Sequence, residues 1–185
     1  MKRKQLWVLT SAVGAALITV ALLTATAGAG TGRQFFYQSA KRPIPDAPNG
    51  GGVIDKLFLR GSARIADMNI GIRIDHTADA DLNIYLVSPK GKFVELSTDN
   101  GGAGNDYGDG RNDCRGARYA VFNDEAGRSI RQGSAPFVPG HFRPQTPLSA
   151  LDGDRIGGIW RLMVLDDDAR DTGTIGCFAM GVVLR

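Results

Sequence analysis

Four stretches of this chain alternate apolar and polar residues with a period of two, and that alternation constrains the fold more than any other feature. Met68, Ile70, Ile72 and Ile74 are separated by Asn69, Gly71 and Arg73; the pattern returns in Leu82, Ile84 and Leu86, in Trp160, Leu162 and Val164, and in Phe178, Met180, Val182 and Leu184. Successive side chains of a strand point to opposite faces, so each stretch reads as a strand with one buried face. No stretch of about 12 residues beyond the N-terminal segment carries a 3.6-residue apolar stripe, which excludes a helical bundle. The composition agrees: 17 of the 19 acidic residues are Asp and 25 residues are Gly, types that favour turns and caps over helix interiors. Between Val87 and Phe93, the tetrapeptide Ser88-Pro89-Lys90-Gly91 reads as a hairpin turn, with Pro presetting one torsion and Gly permitting positive φ. Residues 134–147, pinned by Pro136, Pro139, Pro144 and Pro147, read as a long connection that crosses between sheets. The expected fold is all-β, an antiparallel β-sandwich of jelly-roll type.

The N-terminus is of another kind. Lys2-Arg3-Lys4, an uncharged apolar run through Leu23, and the small-residue tract Ala25-Thr26-Ala27-Gly28-Ala29 make residues 1–29 an export signal; an uncleaved membrane anchor is the alternative. Either reading places the body of the protein outside the cytoplasm, secreted, extracellular or periplasmic. The same three cations explain the net charge of +3, because from Arg33 onward 19 basic groups face 19 acidic ones. A nucleic-acid surface needs clustered Lys and Arg, which this chain lacks, so no nucleic-acid partner is expected. Residues 30–43, rich in Gly and Pro together with the 48–52 run, read as a flexible linker, and the folded domain is expected over 44–185. In an exported chain the two cysteines, Cys114 and Cys177, are expected to form one disulfide; two buried free thiols are the alternative.

Catalytic chemistry has little to work with. The only histidines are His76 and His141, no G-x-S-x-G elbow accompanies them, and both read as turn or sheet-edge residues. Zinc and nucleotide motifs are absent. Oxygen ligands are plentiful, however, and Ca²⁺ takes six to eight of them. Asp166-Asp167-Asp168-Ala169-Arg170-Asp171 places four carboxylates in a short loop, where they repel unless solvated, paired or bridged by a cation. The expected metal ligands are therefore Asp166, Asp168 and Asp171, with Asp46 brought in by an adjacent N-terminal strand. A second group is Asp99 and Asn100 in a glycine-rich loop, with Asp124 and Glu125 as partners. A third stretch, residues 106–113, fails the EF-hand template because Tyr107 and Gly116 fall where ligands are required.

Four blocks stand out in order: IPD at 44–46, HTADADLNIYLVSPKG at 76–91, NDEA at 123–126, and GSAPFVPGHFRPQTPLSALDGDRIGGIWRLMVLDDDARDTGTIGCF at 133–178. Together they resemble the P domain, or Homo B domain, that follows the catalytic domain of kexin- and furin-type proprotein convertases and of bacterial subtilisin-like serine proteases. The resemblance implies a galactose-binding-like jelly roll in which Phe142-Arg143-Pro144, Leu148-Ser149, Asp152-Gly153 and Trp160 are framework positions. Phe178 stands where the family has Trp, Cys177 takes a small polar position, and the segment from Asp106 to Cys114 is an insertion that a disulfide would pin to the last strand. In relatives the P domain accompanies and stabilises a protease domain. Only a signal and linker precede Ile44 here, so no catalytic residues are expected, and the serine-endopeptidase association belongs to the family. The function this implies is a non-catalytic, calcium-stabilised module that binds another protein, with a separately encoded protease as the expected partner. An extracellular carbohydrate- or surface-adhesion module of jelly-roll type is the rival.

Overall fold

The computed structural model describes residues 32–39, 41–47, 51–138 and 140–185; the signal segment assigned to residues 1–29 lies outside them. Twelve strands follow in chain order: β1 (Gly32–Gln38), β2 (Arg42–Ile44), β3 (Gly52–Leu59), β4 (Ile65–His76), β5 (Leu82–Val87), β6 (Phe93–Thr98), β7 (Asp109–Gly110), β8 (Ala117–Arg118), β9 (Ala120–Phe122), β10 (His141–Phe142), β11 (Gly158–Asp166) and β12 (Gly173–Leu184). One sheet runs β1-β12-β4-β9-β10 with β2 also on β12, a second runs β3-β11-β5-β6, and β7 pairs with β8 as a small hairpin. The two larger sheets pack face to face as a β-sandwich.

All four alternating stretches form strands, and their apolar residues enter the shared core. Met68, Ile70, Ile72 and Ile74 of β4 and Phe178, Met180, Val182 and Leu184 of β12 meet Leu82, Ile84 and Leu86 of β5 and Trp160, Leu162 and Val164 of β11. Trp160 is fully buried, and its indole N–H donates to Ile156 O at 2.8 Å, so its polar atom is satisfied inside the core. The hairpin turn closes as expected: Ser88 N–H donates to Lys92 O and Gly91 N–H to Ser88 O, both at 2.9 Å, with Gly91 at φ 82°.

The linker assignment needs correction. Residues 32–38 pair with β12 over seven registered positions, from Gly32 opposite Leu184 to Gln38 opposite Phe178, and residues 42–44 pair with its other end. The physical reason is the β-prone run Phe35-Phe36-Tyr37 beside a strand that would otherwise leave one edge open. Pro43 is accommodated because β2 is three residues long and pairs on one edge only. The sheets are also not wholly antiparallel, since β10 runs parallel to β9. The long segment between Phe122 and His141 is the kind of crossover that a parallel pair needs. After β10 the chain does cross between sheets: Gln145 N–H and Thr146 N–H donate to Leu96 O and Glu95 O of β6.

Cys114 and Cys177 form a disulfide, 63 residues apart in sequence. It ties the β7–β8 hairpin to β12 at a bulge, where the register with β4 passes from Ile175 opposite Ile74 to Cys177 opposite Arg73 and leaves Gly176 unpaired. A Cβ on Gly176 would lie 1.6 Å from Asn112 Oδ1, so only glycine lets the insertion seat there. Replacing both cysteines by serine is expected to cost about 4 kcal/mol at most from restored chain entropy. The drop should be read as a lower urea midpoint by circular dichroism, and an unchanged midpoint would mean the insertion docks without the bond.

Candidate metal centre and surface groove

Three chain segments meet at one end of the sandwich. Strand β11 ends at Asp166, opposite Leu82 at the start of β5, and Asp167 N–H donates to Asp81 O at 3.0 Å. On the other side Asp166 N–H donates to Gly51 O, Ala47 bridges to Ala169, and Arg170 N–H donates to Asp46 Oδ1 at 3.0 Å. The Thr77 hydroxyl then donates to Asp171 Oδ1 at 2.6 Å, and Thr172 N–H donates to Thr77 Oγ1 at 3.1 Å. The four acidic residues expected as ligands are thereby brought to the same end of the fold. The N-terminal contribution of Asp46 comes from the segment directly after β2.

Asp166 is the buried member. Its Oδ2 lies 3.3 Å from His76 Nε2, and its Oδ1 is buried without a hydrogen-bond partner. Burial pushes its carboxyl above the ordinary value; the His76 ring and the Asp168 backbone N–H pull it down, and Asp46 pushes it up again. His76 is not a turn or sheet-edge residue. It closes the inner strand β4, is 2% exposed, and is held by Ala78, whose O lies 2.7 Å and N 3.3 Å from Nδ1, with Nε2 turned to Asp166. His141 does lie on the edge strand β10. One acidic residue escaped the sequence reading. Asp81 is raised by burial and then by Asp171, Asp168 and Asp166, which makes it a fifth carboxylate of the group. Its signal was the H-T-A-D-A-D-L block, since only one β5 register puts Asp81 beside the 166–171 loop.

The remaining expected ligands serve local structure. Asp124 accepts from Leu148 N–H and Ser149 N–H, both at 2.8 Å, and so caps the 3-10 turn over Leu148–Leu151. Asn100 is bound to Ser97 Oγ, Thr98 O and Gln145 Oε1, while Asp99 and Glu125 are exposed. In the 106–113 stretch, Asp113 accepts from Arg115 and Gly116 N–H, and those backbone bonds hold its carboxyl below the usual range. Among the described residues no group of three or more His, Cys, Asp or Glu side chains is gathered closely enough to hold a metal ion as it stands.

The glycine-rich loop folds over a different carboxylate. Asp79 N–H donates to Gly104 O and Ala80 N–H to Gly102 O, and a Cβ on Gly101 would lie 2.7 Å from Asp79 Cβ. Asp79 is fully buried with neither carboxylate oxygen hydrogen-bonded. Burial, then Asp106, push its pKa up to about 8, against the pull of the Asp106 backbone N–H and Arg73.

A second concavity lies on the outer face of the six-stranded sheet. Its floor is Gly71, Ala179 and Gly181, and its walls are Phe35 and Tyr119, with Arg33, Asn69 and His141 as polar neighbours. A Cβ on Gly181 would lie 3.0 Å from the Phe35 ring, and one on Gly71 would lie 3.3 Å from the Tyr119 ring, so both rings rest on glycines.

A neutral Asp79 in the folded state and an ionised one in the unfolded state set a sign. The folded form holds the extra proton above about pH 4, so stability falls as pH rises toward 8, by up to about 1.4 kcal/mol per pH unit for one group. In chelator, Asp79→Asn should flatten that decline and raise the urea midpoint at pH 8 while leaving it nearly unchanged at pH 4. A variant whose midpoint tracks the parent at every pH would show that Asp79 titrates normally.

The family model described as the proprotein convertase P-domain matches residues 65–182, well over half of the chain; Asp46 lies outside the match. No curated protein matches. Among solved structures, the serine protease of Aeromonas sobria in complex with its chaperone is similar with a TM-score of 0.50 and 17% identity, over 82% of this chain and 27% of that one. The serine protease of Aeromonas sobria alone gives a TM-score of 0.49 and 17% identity, over 83% of this chain and 27% of that one. The chain thus spans about a quarter of the length of those structures, and the first likeness supports the fold alone.

Proposed function

The chain belongs to the proprotein convertase P-domain family, and we propose that it is an exported, non-catalytic member whose jelly-roll body binds and stabilises a partner protein, a subtilisin-like protease carried on a separate chain. The family match across both sheets carries this reading. The Aeromonas sobria protease whose chain includes a region of this fold was solved with a chaperone, so protein partnership is at home among structurally similar proteins.

Calcium belongs to the same proposal. The donors at the acidic end are hard oxygens, which suit Ca²⁺ and not a thiophilic metal. The buried, unpartnered Oδ1 of Asp166 is the observation that fits an ion, and Asp46, Asp81, Asp168 and Asp171 are the carboxylates that would share it. A bound ion would supply charge neutralisation at a place where five carboxylates approach one another. His76 and Thr77 position two of those carboxylates through hydrogen bonds.

A second reading, carbohydrate adhesion, is favoured by the groove between Phe35 and Tyr119, whose aromatic walls and polar neighbours suit a sugar ring.

Thermal unfolding with millimolar Ca²⁺ and with chelator tests the calcium reading. The melting temperature is expected to rise with calcium in the parent protein and to be indifferent to it in Asp166→Asn/Asp171→Asn. An equal rise in that double variant would move the ion elsewhere, and no rise in either protein would remove calcium from the proposal.

A further inference from the structure

We infer that the outer face of the four-stranded sheet is the docking surface for a protein partner whose own surface is apolar and carries carboxylates. The inference rests on the partner-binding reading above and gives that binding a location.

The outward residues of a sandwich sheet are ordinarily polar. Here Phe58 and Phe93 are 62% and 59% exposed, Ile54 and Ile159 are 42% and 39% exposed, and all four lie on this one face. The pairing sets these residues side by side across the sheet. Phe58 stands opposite Ile159, Ile54 opposite Met163, Met163 opposite Tyr85, and Val87 opposite Phe93. Tyr85 and Phe93 hold an edge-to-face contact at 6.5 Å, which fixes the aromatic side of the patch. Several large apolar side chains exposed together on one face of a folded domain point to an interaction site.

Charge decides the occupant. At the centre of the patch Lys56 stands directly opposite Arg161, a like-charge cross-strand pair that costs stability, and neither forms an ion pair among the described residues. Arg60 adds a third cation over the Phe58 ring at 5.9 Å. Glu95 and, past the end of β11, Asp167 are the acidic residues on this side; they accept from Gln145 Nε2 at 2.7 Å and Asn83 Nδ2 at 2.6 Å, and neither forms an ion pair with Lys56 or Arg161. The face is therefore apolar with an unanswered positive centre, which a partner's carboxylates would neutralise. A second copy docking about a twofold axis would set Lys56 and Arg161 against their own equivalents. A bilayer is served poorly as well, because these apolar groups lie on a flat strand surface among cations and not on projecting loop tips.

The test begins with the protein captured by the immobilised wild-type chain from the culture fluid of the cells that make it. That protein is purified and titrated against variants. Phe58→Asp/Ile159→Asp is expected to raise Kd at least about 100-fold. Phe58→Thr/Ile159→Thr, which places strand-compatible β-branched side chains at both positions, guards against simple misfolding and should raise Kd about tenfold or more. Lys56→Glu/Arg161→Glu should weaken binding and remove its salt dependence. Tyr37→Asp, an exposed position on the other sheet, should bind like the parent. Loss of binding in the Tyr37 variant with full binding in the Phe58/Ile159 variants would overturn the location and leave the partner reading standing. Failure to capture any protein would overturn both. Sedimentation showing a dimer abolished by Phe58→Asp/Ile159→Asp, or retention on phosphatidylcholine/phosphatidylglycerol vesicles abolished by it, would overturn the choice of a foreign protein as occupant.

Discussion

Strand β12 is paired along both edges, with β4 on one side and with β1 and β2 on the other, and the ladder to β4 shifts register twice, between Val183 and Leu184 and at Gly176, where the second shift sets which residues face inward. Counting back from Leu184 by twos, Val182, Met180 and Phe178 all enter the core, and position 176 would be next. The bulge skips it, so Ile175 turns inward instead and Cys177 turns outward opposite Arg73. From this one irregularity the rest of that end follows. Cys177 meets Cys114, the insertion lies down across β4, and the buried Arg73 beneath it pairs with Asp75 and reaches Asp106 at 3.6 Å. Below the bulge, β12 starts at Gly173 between Ile44 and His76, which gathers the acidic segments together.

Most of the sandwich core was legible because its strands are one-sided. In β4, β5, β11 and β12 the inward positions are apolar and the outward ones mostly polar or glycine, so period two stands out. Strand β3 was missed for the opposite reason. It reads Val53-Ile54-Asp55-Lys56-Leu57-Phe58-Leu59, with apolar residues on both faces and a charged residue, Asp55, pointing inward. That aspartate is fully buried and tolerable only because Arg42 Nε and Gln38 Nε2 reach it at 2.7 and 3.1 Å from segments distant in sequence. No local pattern announces such a compensation. Strand β1 was hidden by neighbouring prolines and glycines, although Phe35-Phe36-Tyr37 carried the signal.

The acidic end was half legible. Clustered aspartates in one loop are visible in the sequence, but whether a carboxylate is solvated, capping a turn or buried is decided by tertiary neighbours. Asp124 and Asp113 turned out to be caps, each spending its oxygens on two backbone N–H groups. Asp166 and Asp79 are instead buried with oxygens left unpartnered, which is expensive by ordinary rules. The two differ in surroundings. Asp166 sits among other carboxylates and a histidine, where a cation has ligands to share. Asp79 sits beneath a glycine loop against Tyr107 and Phe137, whose rings stack at 4.6 Å, and escapes its charge by keeping a proton.

The two faces of β3 carry these ideas into one place. Its inner face tolerates a buried charge because β1 and β2 stay docked on β12 and deliver Gln38 and Arg42. Its outer face exposes Ile54 and Phe58 around Lys56, and among the described residues nothing covers them. An edge strand with apolar residues on both faces is an aggregation hazard in water. The central lysine and its neighbour Arg161 reduce that hazard between identical copies by mutual repulsion, at the cost of a like-charge pair across the ladder. The same arrangement therefore disfavours self-association and leaves the apolar surface open to a partner of opposite charge, which is what selective binding on a flat sheet requires.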